Sequence, residues 1–198
     1  MRETDLPDAV PVQLLSAAGV LQTEGAAADY LPLIEALTDA ELTRFHRDMV
    51  VVRRFDVEAA NLQRQGQLGL WVPSMGQEAA QVGSGHAARP QDHIFPAYRE
   101  HAIAMIRGVD LLGIIRLLRG TSHGGWNPAE SNNFHLYTLV IASQTLHATG
   151  YAMGIAFDGS TATGNPDADE AVVVYLGDGA TSQGDFSEAL VFAASYQT

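Results

Sequence analysis

The run Val172-Val173-Val174-Tyr175-Leu176 ends in Gly177-Asp178-Gly179 and is followed by a helix start. A β-branched run with apolar residues on both faces suits the centre of a parallel sheet, whose strands need crossover connections that cover the faces. That pattern points to an α/β fold. In open sheets of this kind ligands gather at the carboxyl ends of the strands, which is where Gly177-Asp178-Gly179 falls. Glycine lets the backbone come close to a bound group, and a helix amino terminus offers free N–H groups to an anion such as a diphosphate. A carboxylate beside a diphosphate is explained by a hard cation, since magnesium is held by one or two carboxylates together with phosphate oxygens. Asp178 is therefore the candidate metal ligand. The bland alternative is a plain strand-to-helix turn.

The wider segment from Gly177 to Phe186 resembles the cofactor-binding motif of thiamin diphosphate enzymes, and especially that of the alpha subunits of pyruvate and branched-chain 2-oxo acid dehydrogenases. Further matches stand upstream in order: Gly76-Gln77-Glu78-Ala79, Phe95-Pro96-Ala97-Tyr98-Arg99-Glu100, Arg119-Gly120 with His123-Gly124, and Ser143-Gln144 with Ala148-Thr149-Gly150. Several ordered motifs are far more specific than one. The resemblance runs from about Leu42 to the end. It implies a thiamin diphosphate-binding fold, a parallel sheet flanked by helices. It also implies oxidative decarboxylation of a small 2-oxo acid with acyl transfer to a lipoyl group, using thiamin diphosphate and magnesium. The implied partners are a beta subunit, in an alpha-two beta-two heterotetramer, and a lipoyl-bearing dihydrolipoamide acyltransferase. The activating glutamate comes from the beta subunit in this family, so no catalytic residue is assigned to this chain. Tyr98, Arg99, Leu139, Ile141, Gly177, Asp178, Gly179 and Ala180 are the implied cofactor contacts, with Asp178 on the metal. A weaker carry-over gives Thr138, Ser143 and Gln144 to a structural monovalent cation.

The family closes its thiamin motif with an Asn-Asn pair after the next helix and strand, and no such pair follows Gly184–Thr198 here. The sequence is thus expected to be the amino-terminal portion of a longer subunit, with the sheet and metal site incomplete and no activity alone. The rivals are another thiamin enzyme, such as one cleaving acetoin, and a truncated subunit that assembles without catalysing.

Composition excludes other classes. The formal net charge of −12 argues against binding nucleic acid or anionic lipid. With no cysteine, disulfides, thiolate metal sites and a thiol nucleophile are ruled out. The polar Met1-Arg2-Glu3-Thr4-Asp5 start lacks a secretory pattern, and cytoplasmic placement fits.

Residues 1–37, with Pro7, Pro11 and Pro32, read as an extended arm lying on a partner, and residues 38–198 as the cofactor-binding domain. Thr38-Asp39-Ala40-Glu41 is a capping box opening a long helix that Gly66 ends. Helices follow over 77–88 and 101–107, over Leu111–Leu118 after an Asp110 cap, and over Ser143–Phe157, whose Ala148, Gly150, Ala152 and Gly154 suit close packing. Residues 121–137 read as a mobile loop over the cofactor entrance.

An arginine fork binds diphosphate oxygens bidentately and a tyrosine hydroxyl adds a bond, which suits Tyr98-Arg99; the alternative is an ion pair between Arg99 and Glu100 with a core-facing ring. Leu139 and Ile141 would meet an aminopyrimidine through main-chain carbonyls, and both also fit plain core. No histidine pair has the spacing that places two imidazoles on one helix face.

Overall fold

The computed structural model describes residues 12–123 and 125–198. Expectations for residues 1–11 and for Gly124 lie outside the described residues. The chain divides into two compact units, the first ending at His46 and the second running from Arg47 to Thr198.

In the first unit the stretch read as an extended arm carries local structure. Leu15 and Leu21 form an antiparallel bridge, a 3-10 turn spans Gly25–Tyr30, and a short helix α1 covers Leu31–Glu35. Ala26-Ala27-Ala28 explains the turn, because alanine has the best helix propensity. The long helix α2, Asp39–Arg64, begins in this unit. Its capping box is reciprocal: the Thr38 main-chain N–H donates to Glu41 Oε2 at 2.8 Å, and the Glu41 N–H donates to Thr38 Oγ1 at 3.2 Å.

In the second unit α2 ends in a Schellman motif. Gly66 sits at φ 73°, Gln67 N–H reaches the Leu62 carbonyl at 2.8 Å, and Gly66 N–H reaches that of Gln63 at 2.9 Å. α3 is Glu78–Ala87, β1 is His93–Phe95, α4 is His101–Ile106 and α5 is Leu111–Arg119. α3 packs on α4 at Gly85, where an added Cβ would lie 3.1 Å from Ile106 Cδ1. α5 starts at Asp110, whose carboxylate accepts the Leu112 N–H at 3.0 Å, and stops at left-handed Gly120. Then come α6, Ser143–Phe157, β2, Val172–Val174, and α7, Gly184–Tyr196.

β1 and β2 pair in parallel, with His93 opposite Val172 and Phe95 opposite Val174. On its other edge β1 meets the chain at Phe134, where His135 N–H donates to the Ile94 carbonyl at 2.8 Å. The core gathers around this strand: Ala59, Leu68, Trp71, Ile94, Ile103, Ala104, Val109, Ile114, Leu118 and Phe134 are all buried. The fold is helix-rich around a small parallel sheet, as an α/β reading requires.

Three expectations need correcting. The β2 residues are half-buried rather than buried, because among the described residues β2 has a strand on one edge only and a cavity of about 370 Å³ opens beside it, between α6 and α7. Gly177-Asp178-Gly179 leads into a 3-10 turn, Asp178–Ser182, and the α-helix starts only at Gly184. Part of the 121–137 loop is core: Phe134 is fully buried and Trp126 Nε1 donates to its carbonyl at 2.8 Å. No helix among the described residues is long and apolar enough to cross a membrane.

Candidate functional site

Parallel pairing brings the carboxyl ends of β1 and β2 side by side, and with them the segments Pro96–Arg99 and Tyr175–Asp178. The ladder continues past the strands, with Tyr175 N–H on the Phe95 carbonyl at 2.9 Å. The third segment, 138–144, crosses the same end. Thr138 N–H donates to the Ala97 carbonyl at 2.9 Å, and Gln144 Nε2 donates to the Tyr175 carbonyl at 2.8 Å. Three stretches far apart in sequence therefore meet where an open α/β sheet binds its ligand.

The arginine loop is held rigidly by residues that sequence reasoning missed. Glu100, 8 % exposed, accepts the main-chain N–H groups of Ala97 at 2.9 Å and Arg99 at 3.2 Å, while burial pushes its carboxyl pKa up against those bonds. Glu100 is thus occupied with the main chain, and it forms no ion pair with Arg99. Gln81 clamps the same loop, its Nε2 on the Arg99 carbonyl at 3.1 Å and its Oε1 taking the Ala102 N–H at 3.1 Å. Gln81 stands eighteen or more residues from the groups it clamps, and Glu100 turns back on its own loop, so neither contact is marked by anything diagnostic in the sequence. Glu78, of the Gly-Gln-Glu motif, pairs with Arg53 and accepts the Gly76 N–H at 2.9 Å; the Arg53 hydrogen bond lowers its carboxyl pKa to about 2. Glu78 thus ties the Gly-Gln-Glu turn to α2.

Arg99 itself lies over the Tyr98 ring, 5.7 Å from its centroid, and its Nε is buried with no hydrogen-bond partner. A buried unpaired guanidinium donor is costly, so this atom calls for an acceptor that the described residues do not supply. Gln144, 2 % exposed, likewise keeps a buried Oε1 without a partner. Asp178 is exposed, with a side chain free of hydrogen bonds and ion pairs among the described residues. Gly177 has φ −85°, and an added Cβ at Gly177 or Gly179 would meet nothing within 4 Å. Neither backbone conformation nor internal crowding requires glycine at these two positions. Ala180, also expected to contact the cofactor, is buried, and its N–H donates to the Gly177 carbonyl at 3.0 Å.

Leu139, Val140 and Ile141 are 55, 70 and 46 % exposed, so they are not core. Neither the Leu139 nor the Ile141 carbonyl accepts a hydrogen bond among the described residues, whereas the Val140 carbonyl takes Ser143 Oγ at 2.9 Å. Ala142, at φ 72°, turns the chain into α6, a strained conformation for a residue with a Cβ. A largely apolar cavity of about 280 Å³, walled in part by Leu70, Leu117, Tyr137 and Leu139, opens beside this segment. No group of three or more His, Cys, Asp or Glu side chains among the described residues could hold a metal, so Asp178 would need further ligands, phosphate oxygens and water among them.

Residues 46–198 match the family described as "Dehydrogenase E1 component". The chain is 40% identical over 191 residues to the 3-methyl-2-oxobutanoate dehydrogenase subunit alpha of Mycobacterium tuberculosis (strain CDC 1551 / Oshkosh), covering 96% of this chain and 48% of the relative. It is 32% identical over 185 residues to the pyruvate dehydrogenase E1 component subunit alpha of Bacillus subtilis (strain 168), covering 93% and 46%. Against the protein of that name in Staphylococcus aureus (strain Mu50 / ATCC 700699) it is 33% identical over 186 residues, covering 94% and 46%. The chain spans about half the length of the curated relatives it matches.

Proposed function

The chain belongs to the dehydrogenase E1 component family, and on that premise we propose that it serves in the alpha subunit of a 2-oxo acid dehydrogenase, binding the diphosphate–magnesium end of thiamin diphosphate. The observation that carries the reading is the open donor set at the carboxyl end of the sheet. Among the described residues Arg99 Nε lacks an acceptor, Asp178 lacks a side-chain partner, and nothing fills the space over Gly177 and Gly179.

These groups fit the cofactor. The Arg99 fork would take diphosphate oxygens with the Tyr98 hydroxyl beside it, Asp178 would hold magnesium, and the Leu139 and Ile141 carbonyls would accept from the aminopyrimidine. Gln144 Oε1, with Thr138 and Ser143, would suit a monovalent cation. Once bound, thiamin diphosphate supplies the nucleophilic carbon and electron sink that decarboxylation of a 2-oxo acid needs. This chain's own residues bind and orient: Glu100 and Gln81 hold the arginine loop still, and the glycines admit the phosphates without a Cβ in the way. The proposed complex adds a beta subunit, in an alpha-two beta-two assembly, and an acyltransferase that carries away the acyl group on its lipoyl arm.

The test is calorimetric titration of the native assembly with thiamin diphosphate and magnesium, with and without Asp178→Ala. A charge-assisted ligand contributes about 1.5–3 kcal/mol, so affinity should fall roughly ten- to hundredfold with the melting temperature unchanged. Unchanged affinity removes Asp178 from the metal site. Carbon dioxide release from pyruvate and 3-methyl-2-oxobutanoate then tests the reaction, and acetoin cleavage in its place would move the chain to a different thiamin chemistry.

A further inference from the structure

His101 opens α4 two residues after Arg99, and Tyr137 stands two residues before Leu139. The two side chains meet in the core between the two halves of the proposed cofactor site. His101 is fully buried and stacks on Trp71, with ring centroids 4.4 Å apart and planes at 18°. Its Nε2 is 3.1 Å from the Val72 carbonyl, which can only accept, so Nε2 carries the proton. Burial pushes the imidazole pKa down to about 4, the ring is neutral, and Nδ1 is left as a bare acceptor. The Tyr137 hydroxyl lies 2.8 Å from Nδ1 and is therefore the donor; burial pushes its pKa well up and keeps its proton in place. Only one arrangement of protons satisfies all three groups.

The stretch directly after Tyr137 has few ties of its own before buried Ala142 and Gln144, whose Nε2 donates to the Tyr175 carbonyl at 2.8 Å. Leu139, Val140 and Ile141 are exposed, and the main-chain ties are Thr138 N–H on Ala97 and the turn that Ser143 closes on Val140. We propose that the Tyr137–His101 hydrogen bond is a positioning element that fixes the spacing between Arg99 and the Leu139–Ile141 carbonyls, so that one molecule of thiamin diphosphate reaches both. Neither residue touches the cofactor. The inference rests on the reading that these two segments hold the two ends of thiamin diphosphate.

Tyr137→Phe tests it, because the ring keeps its edge contacts with Trp126 at 5.2 Å and Phe134 at 6.0 Å while the donor is lost. The protein, purified from its own host in its native assembly, is titrated with thiamin diphosphate and, separately, with inorganic diphosphate, both with magnesium. Inorganic diphosphate uses only the Arg99 end. Affinity for thiamin diphosphate should fall roughly two- to tenfold, the range for one neutral hydrogen bond, while affinity for inorganic diphosphate holds. Equal losses on both ligands, or no loss on either, overturn the inference, since a purely structural pair has no reason to separate them. If Tyr137→Phe does not fold, Tyr137→Phe with His101→Leu removes the orphaned acceptor along with its donor and carries the same comparison. Failure of the unsubstituted protein to bind either ligand would sink the cofactor reading itself and this inference with it, before any substitution is made.

Discussion

At the amino end of the β1–β2 pair, Asp92 accepts the Arg89 N–H at 2.8 Å, Arg89 Nη2 at 2.9 Å and the Ala171 N–H at 3.1 Å, whereas at the carboxyl end Asp178 stands exposed with no side-chain partner among the described residues. The same contrast separates the arginines. Arg107, 3 % exposed, spreads its Nη groups over the carbonyls of Arg89, Pro90 and Asp92, leaving only Nε without a partner. Arg99 makes no side-chain hydrogen bond among the described residues, and its loop is held instead by Glu100 and Gln81. One end closes its polar groups on each other and the other holds rigid loops around open ones. Closed networks hold the fold, and an open set on a fixed frame is what a ligand needs.

Removing Asp92 is the harshest test of that contrast. Burial raises its carboxyl pKa, but the Arg89 and Ala171 hydrogen bonds outweigh burial and bring the net shift down, so the carboxylate is charged and paired in the fold. Asp92→Ala would leave several donors without acceptors and should cost about 3 kcal/mol, read as a fall in the urea midpoint. Asp178→Ala, at the open end, should cost less than about 0.5 kcal/mol in the same measurement. Equal costs would erase the distinction between the two ends.

Acid sharpens the comparison further. Burial and the neighbouring His93 push His135 down to about 4, and burial pushes His93 down against the opposing pull of Glu170, 3.3 Å away. His101 is also near 4. An imidazole whose folded pKa lies below its unfolded value of about 6.5 binds fewer protons when folded, so its contribution is complete above about pH 6.5 and lost as pH falls towards 4. The Glu78 window lies lower, opening only as that carboxylate titrates towards about 2. The urea midpoint should therefore decline between pH 6.5 and 4. His135→Phe, which keeps the stack on Phe95 at 3.8 Å, should remove about 1 kcal/mol of that decline, a small share because His135 is only half-buried and screened by solvent. A midpoint flat over this interval would mean that these rings take up protons without cost.

The helices were legible because their ends are written in local chemistry: Thr38 with Glu41, Asp110, Gly66 and Gly120 each act within one turn. β1 was not, since three residues between Pro90 and Pro96 carry no period, and their strand character comes from pairing with Val172–Val174. The segment from Gly177 to Phe186 marked the place where the site segments meet but not its backbone, because a 3-10 turn and an α-helix share their residue preferences and differ only in which carbonyl each N–H reaches. The stripe Ala148, Gly150, Ala152, Gly154 was half right: Ala148 is buried, yet an added Cβ at Gly150 or Gly154 would touch nothing within 4 Å. The Glu100 and Gln81 clamp was invisible, because a glutamine whose main-chain partners lie eighteen or more residues away, and a glutamate that turns back on N–H groups of its own loop, look in sequence like any surface residue.

Gly179 gives the finest test. Its φ lies outside the left-handed region and an added Cβ has open space, so Gly179→Ala should leave stability unchanged or raise it by about 0.4–1 kcal/mol through the unfolded chain. A methyl group at the mouth of the site would nonetheless hold a diphosphate away from the main chain. Thiamin diphosphate and inorganic diphosphate should therefore both bind more weakly, by severalfold, in a protein that melts no lower than the parent. This differs from Tyr137→Phe, which should spare inorganic diphosphate, because Gly179 lies where the phosphates approach and Tyr137 acts only on the far end. If Gly179→Ala bound both ligands as the parent does, the open space over Gly177-Asp178-Gly179 would be solvent, and the contrast between the two ends of the sheet would rest on Arg99 and Asp178 alone.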